Sequence, residues 1–170
     1  SEHTPEQMLA HMDSAGIDVG VIQTGYVEPN FGREVYFADC IKRWPDRFIG
    51  TVDIEYDLTR DDAYLQGEIR KLTRAVEELG FRGLFSHLPW DQPVDDPRCD
   101  RLWQEVTRLG IPAYLNTGLK PRSMSRAEYL QDVQRIENVL KRFPEMNVIE
   151  AHIGHHLRPP SDPERGDNPR

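Results

Sequence analysis

The sequence predicts a parallel α/β sheet. Short β-rich runs alternate with helical patterns, and each intervening helix is long enough to cross between parallel strands. Asn-Gly and Asp-Gly hairpin turns are absent. With 170 residues, the chain can build one domain with a real core and is short for two.

The elements follow in order. "TPEQMLAHMDSAG" opens a helix with Thr4 as N-cap, Pro5 at the first position and Gln7 completing a capping box. Met8, Leu9 and Met12 supply its apolar stripe, and Gly16 stops it. "IDVGVIQ" (17–23) reads as a short buried strand. Residues 32–44 form a helix with Val35, Phe37, Cys40, Ile41 and Trp44 turned inward, ended by Pro45. "FIGTVDI" (48–54) is the second strand. A long helix follows over about 60–79, with Leu65, Ile69, Leu72, Val76 and Leu79 at helical spacing and Gly80 at its end. Its charged residues read as a solvated face.

The pattern then repeats. "FRGLFSH" (81–87) is a strand, and Asp96-Pro97 opens a helix with Leu102, Trp103, Val106 and Leu109, stopped by Gly110. "IPAYLN" (111–116) is the fourth strand. Ser125 and Glu128 form a capping box for a helix over 126–143, with Tyr129, Leu130, Val133, Ile136, Leu140 and Phe143 along it. "NVIEAHIG" (147–154) is the last strand. These five strands fit either an open doubly wound layer or part of a (β/α) barrel. Residues 1–157 are read as the packed domain. The remainder, 158–170 in "RPPSDPERGDNPR", is a Pro-rich loop or disordered tail.

Composition narrows the function classes. Charged residues make 29% of the chain and the net charge is −8, which argues against a nucleic-acid surface. No apolar run approaches the ~20 residues of a membrane helix, and the first residues carry no secretory pattern. Cys40 and Cys99 are far apart in helical patterns and read as reduced thiols, the state of a cytoplasmic protein. Phosphate-binding loops, nucleophile elbows and C-x-x-C motifs are absent.

In parallel α/β folds, ligands gather at the carboxyl ends of the strands. Period-two alternation sorts each strand into two faces. In the fourth strand Ile111, Ala113 and Leu115 form the helix-packed face, leaving Tyr114 and Asn116 inward. In the fifth, Ile149, Ala151 and Ile153 are expected against the helices, leaving Val148, Glu150 and His152 inward. His87 follows Phe81, Gly83 and Phe85, and Asp53 is a further candidate. An imidazole at such a mouth can transfer protons near neutral pH or ligate a metal. The bland reading of His152 is a structural pair with Glu150. Trp90 lies in the loop after the third strand, able to line a pocket or to pack beneath it. His155 and His156 read as loop residues, His3 and His11 as surface ones.

The ordered segments "MLAHMDSAGIDVGVI", "WPDRFIGTVDI", "LGFRGLFSH", "DRLWQEVTRLGIPAYLN" and "KRFPEMNVIEAHIG" resemble the amidohydrolase-related family. These are metal-dependent (β/α)₈ hydrolases and decarboxylases of the aminocarboxymuconate-semialdehyde decarboxylase type. The resemblance implies a TIM-type (β/α) barrel, with this chain covering about strands two to six. It implies hydrolysis or non-oxidative decarboxylation of a small carboxylated cyclic or aromatic compound. It also implies a divalent metal, zinc foremost, and either a homo-oligomer or a partner chain that completes the barrel. His152 in "EAHIG" matches the family's acid/base histidine, with Asn116, His87, Tyr114 and Trp90 as substrate-binding candidates. His152 and Asn116 are the candidate metal ligands. Asn116 replaces the family's ligating histidine on the fifth barrel strand, no H-x-H precedes residue 17, and "FRGLFSHLPW" lacks the carbamate-forming lysine. These departures point to two alternatives: a metal-independent lactonase-like hydrolase, or a non-catalytic relative that binds a small molecule or a partner.

Overall fold

A computed structural model describes residues 4–24, 33–86, 88, 92–116 and 126–151. The elements are α1 (Pro5–Ala15), β1 (Gly20–Gln23), α2 (Arg33–Arg43), β2 (Phe48–Ile54), α3 (Asp62–Glu77) and β3 (Leu84–Ser86). A 3-10 turn (Pro97–Cys99), α4 (Asp100–Leu109), β4 (Ala113–Asn116), α5 (Arg126–Arg142) and β5 (Val148–Ala151) complete them.

Local chemistry sets the helix ends. At α1 the Thr4 hydroxyl accepts the Gln7 N–H at 3.3 Å, and the Gln7 side chain accepts the Thr4 N–H at 3.2 Å, completing the expected box. Gly16 ends the helix at φ 68°, a left-handed conformation that favours glycine. Asp61 caps α3 through the Tyr64 N–H, and Asp96 caps the 3-10 turn through the Arg98 N–H. The second capping box, Ser125 with Glu128, rests on side chains outside the described set, as does the 158–170 segment.

The strands form one parallel sheet in the order β1-β2-β3-β4-β5. Right-handed crossovers that always step the same way put every helix on one face. A doubly wound layer would reverse its order at a switch point, so the barrel alternative holds. Val52, Ile54, Leu84, Ala113 and Leu115 pack with Leu65, Leu72, Leu102, Trp103, Val106, Ile136 and Val139 in the main core. Met12, Ile22, Cys40 and Phe48 form a second cluster beneath α1 and α2. Gly50 is required here: a Cβ would press on Ile41 Cδ1 and come within 2.9 Å of Phe81 Cδ1.

Several sequence expectations change. The 17–23 segment pairs only from Gly20, and Ile17, Val19 and Val21 are each 45–47% exposed, so only Ile22 is buried in the strand. An apolar run there marks a strand packed by helices on one face alone. Val35 and Leu130, expected on packed stripes, are more than half exposed. Val35 lies in the first turn of α2 and Leu130 in the second turn of α5. The largest change concerns β5. Register partners in a parallel pair share a face, and Ala113 pairs with Val148, Leu115 with Glu150. Val148 packs against the main core. Val148 and Glu150 therefore lie on the helix face, and Ile149 and Ala151 on the inner one, opposite to the expected assignment.

Candidate active site

The inner face of the sheet, away from the helices, carries Val21 and Gln23 from β1 and Ile49, Thr51 and Asp53 from β2. Beside them lie Gly83 and Phe85 around β3, Tyr114 on β4, and Ile149 and Ala151 on β5. Towards the amino ends of the strands this face is apolar and open, with Ile49 38% and Ile149 41% exposed. Towards the carboxyl ends it becomes polar and closed. Asp53 is 8% exposed and Thr51 is 1% exposed, and Phe85 stands in register with both Asp53 and Tyr114. The Phe85 and Tyr114 rings meet with centroids 6.4 Å apart and planes tilted by 44°. Gly83 makes room for this, since a Cβ there would come within 2.9 Å of Thr51 Cγ2.

The tip of β2 is held by a hydroxyl. Thr24 follows the last residue of β1, and its Oγ1 accepts the Asp53 N–H at 2.8 Å. The side chain thus adds to the β1–β2 ladder beside the main-chain bond from the Thr24 N–H to the Thr51 carbonyl at 3.2 Å. A carboxylate buried on an inner sheet face is costly to keep there unless it is hydrogen-bonded or used. In the sequence Asp53 is only a secondary candidate because facing in β2 is ambiguous; its pairing with Phe85 settles it.

Above the strand tips, the β2→α3 connection and the β3→α4 connection are laced together. Gln92 Oε1 accepts the Leu58 N–H at 2.8 Å and Gln92 Nε2 donates to the Tyr56 carbonyl at 2.9 Å. The Tyr56 hydroxyl donates to the Arg98 carbonyl at 3.1 Å, and Trp103 Nε1 donates to the Val94 carbonyl at 2.8 Å. Arg98 hydrogen-bonds Asp96 and holds its carboxyl down at about 2. Burial pushes the Cys99 thiol up to about 12, and Cys40 is also raised by burial. Both cysteines are buried and reduced, and such thiols are poor nucleophiles.

The sequence candidates divide accordingly. Tyr114 lies on the inner face, as expected. Asn116 occupies the last position of β4, in register with Ala151. His152, His87 and Trp90 lie outside the described residues. Among the described residues, no group of three or more His, Cys, Asp or Glu side chains could hold a metal ion. Asp53 is the sole carboxylate on the inner face of the described strands, and one such donor does not make a divalent-metal site. The described residues alone therefore do not assemble the donor set of the divalent metal that the resemblance implies, and the candidate ligand His152 lies outside them. No helix among the described residues is long and apolar enough to cross a membrane.

Sequence reasoning missed Gln92, Thr24 and Phe85. A hydroxyl directly after a strand was the available signal for Thr24, and period-two facing of its strand for Phe85; Gln92, six residues past Ser86, carried none.

A solved structure with similar architecture is the 4-oxalomesaconate hydratase from Rhodopseudomonas palustris, 20% identical with a TM-score of 0.56. The match covers 89% of this chain and 49% of that one, so the chain spans about half the length of the hydratase. At this identity the likeness is one of fold: five parallel strands and their helices form half of a TIM-type barrel. The family model described as Amidohydrolase matches residues 3–167, and with nearly its whole length inside that match the chain belongs to the amidohydrolase family.

Proposed function

We propose that the chain carries the central part of an amidohydrolase-type enzyme that hydrolyses or non-oxidatively decarboxylates a small carboxylated cyclic or aromatic compound. The observation that carries this reading is the inner face at the strand tips. There Asp53 and Thr51 are buried beside the Phe85–Tyr114 pair, where a barrel interior is ordinarily filled with branched apolar residues. The hydratase named above acts, by its name, on an oxalomesaconate, a small carboxylated compound, which supports the substrate class.

In this reading His152 is the acid/base group. Its imidazole takes a proton from the attacking water in hydrolysis, or delivers one to the carbon that loses carboxylate in decarboxylation. The support for His152 is the "EAHIG" motif alone, because the register of β5 removes the argument from strand face. Tyr114, Asn116, His87 and Trp90 are the proposed substrate contacts. Asn116 favours a second reading, a lactonase-like hydrolase that works without metal, since an amide oxygen is a weak ligand where the family carries imidazole.

The test uses the full-length protein with its native flanking sequence. A panel of lactones and aromatic carboxylic acids is assayed with and without chelator, alongside elemental analysis. Turnover that chelation abolishes supports the metal-dependent reading; turnover that survives, in metal-free protein, supports the lactonase-like one. His152→Asn is expected to lower turnover about 10²- to 10⁴-fold. Unchanged turnover would remove His152 from the mechanism, and no turnover on any member of the panel would favour a non-catalytic relative.

A further inference from the structure

Among the described residues, the ladder between β2 and β3 ends at Ile54 and Ser86. Beyond it, Gln92 acts as a replacement strand residue. Its carboxamide accepts the N–H of Leu58 and donates to the C=O of Tyr56. Those two groups flank Asp57 on one side of the chain, the pair that a single residue of a neighbouring parallel strand would engage. The orientation of the amide is unambiguous, because a backbone N–H can only donate and a carbonyl can only accept. Two more ties reinforce it: the Tyr56 hydroxyl to the Arg98 carbonyl at 3.1 Å, and Arg98 Nη1 to the Leu58 carbonyl at 3.4 Å.

We propose that Gln92 is a positioning residue of the candidate site: it extends the β2–β3 pairing by side chain and so sets the spacing of the two strand tips. Asp53 stands next to the end of one of the two strands, β2. Reacting groups must be held to within a fraction of an ångström, and that demand falls where main-chain pairing has just ended. The inference rests on reading the strand tips as the site.

Two variants of the full-length protein test it. Gln92→Leu removes both hydrogen bonds. Gln92→Glu keeps the acceptor for Leu58 but, when ionised, sets a carboxylate against the Tyr56 carbonyl; when protonated, it regains a donor. Among the described residues, the charged and titratable groups around this position are Arg98, its partner Asp96, Tyr56, Cys99 on the 3-10 turn, and Asp57, whose carboxylate accepts from Thr59. Amide exchange at Leu58 is compared with the wild type at the same pH.

Gln92→Leu should lose about tenfold in protection at any pH. Gln92→Glu, whose ionised carboxylate the Tyr56 carbonyl repels from the clasp, should lose it at about pH 7 and recover it at about pH 3, on either side of the ordinary glutamate value of about 4.3. On a substrate found by the panel, kcat/KM relative to wild type should fall about 10- to 100-fold and follow the same pH dependence. Unchanged Leu58 protection overturns the clasp. Lost protection with unchanged kcat/KM leaves a merely structural tie and overturns the positioning role. A wild type that turns over none of the panel overturns the activity, and the positioning role with it, while exchange at Leu58 still decides whether the clasp exists.

Discussion

Thr24 and Gly50 show how single atoms hold this sheet. The Thr24 hydroxyl accepts the Asp53 N–H inside the protein, where Thr24 is 3% exposed. Thr24→Val keeps the shape and takes away the acceptor, so urea denaturation should show a loss of about 1–3 kcal/mol. Gly50→Ala should cost a similar ~1–3 kcal/mol by overpacking, since Ile41 and Phe81 close over the position. Relief by Ile41→Val in the double variant would confirm that cause. At this scale the sequence was legible where polar and apolar residues alternate cleanly. Ala113, Leu115 and Tyr114 sorted correctly because each face had one character. In β5 both faces begin with a β-branched residue, Val148 or Ile149, so Glu150 alone steered the assignment. A partly exposed glutamate near a sheet edge can lie on either face, and the register with β4 decides it.

Helix ends were the most legible elements, because caps are written in local residue types. Gly110 closes α4 at φ 64°, and no atom lies within 4 Å of the place a Cβ would take, so Gly110→Ala meets only backbone strain. A loss of about 1 kcal/mol in denaturation is expected. β1, β3 and β4 start later than their sequence patterns, whereas β2 spans the expected Phe48–Ile54. Regular pairing of β3 begins at Leu84, although Arg82 and Gly83 still exchange main-chain hydrogen bonds with Gly50 and Val52 of β2. Phe81 belongs to the core beneath the strand, where it serves packing and not the ladder. Apolar stripes also overreach near the amino ends of α2 and α5, at Val35 and Leu130, since periodicity reports a helix's phase and not how much of its length is covered.

For the molecule as a whole, Asp96 and Cys99 are among the described groups that shape the response to pH. Asp96 sits at about 2 against its ordinary 3.8, so its contribution is present above about 3.8 and is lost as pH falls towards about 2. Cys99 sits at about 12 against an ordinary 9.0, so the folded state holds a proton that the unfolded chain releases. Stability is therefore expected to decline as pH rises from about 9 towards about 12. Equilibrium denaturation across pH, repeated on Cys99→Ala, should show the alkaline decline flattened. The overall architecture was the best-read feature, because alternation of strand and helix without hairpin turns leaves few topologies. The chemistry was the least legible, since a donor set drawn from several strand tips is assembled in space and leaves no spacing signature along the chain. The uninterrupted strand order has one more consequence. Each βα unit pairs only with the units just before and after it, so every new strand finds its partner in the segment already made. Such a chain can be laid down in order during synthesis, with short loop closures at each step and no wait for a distant strand.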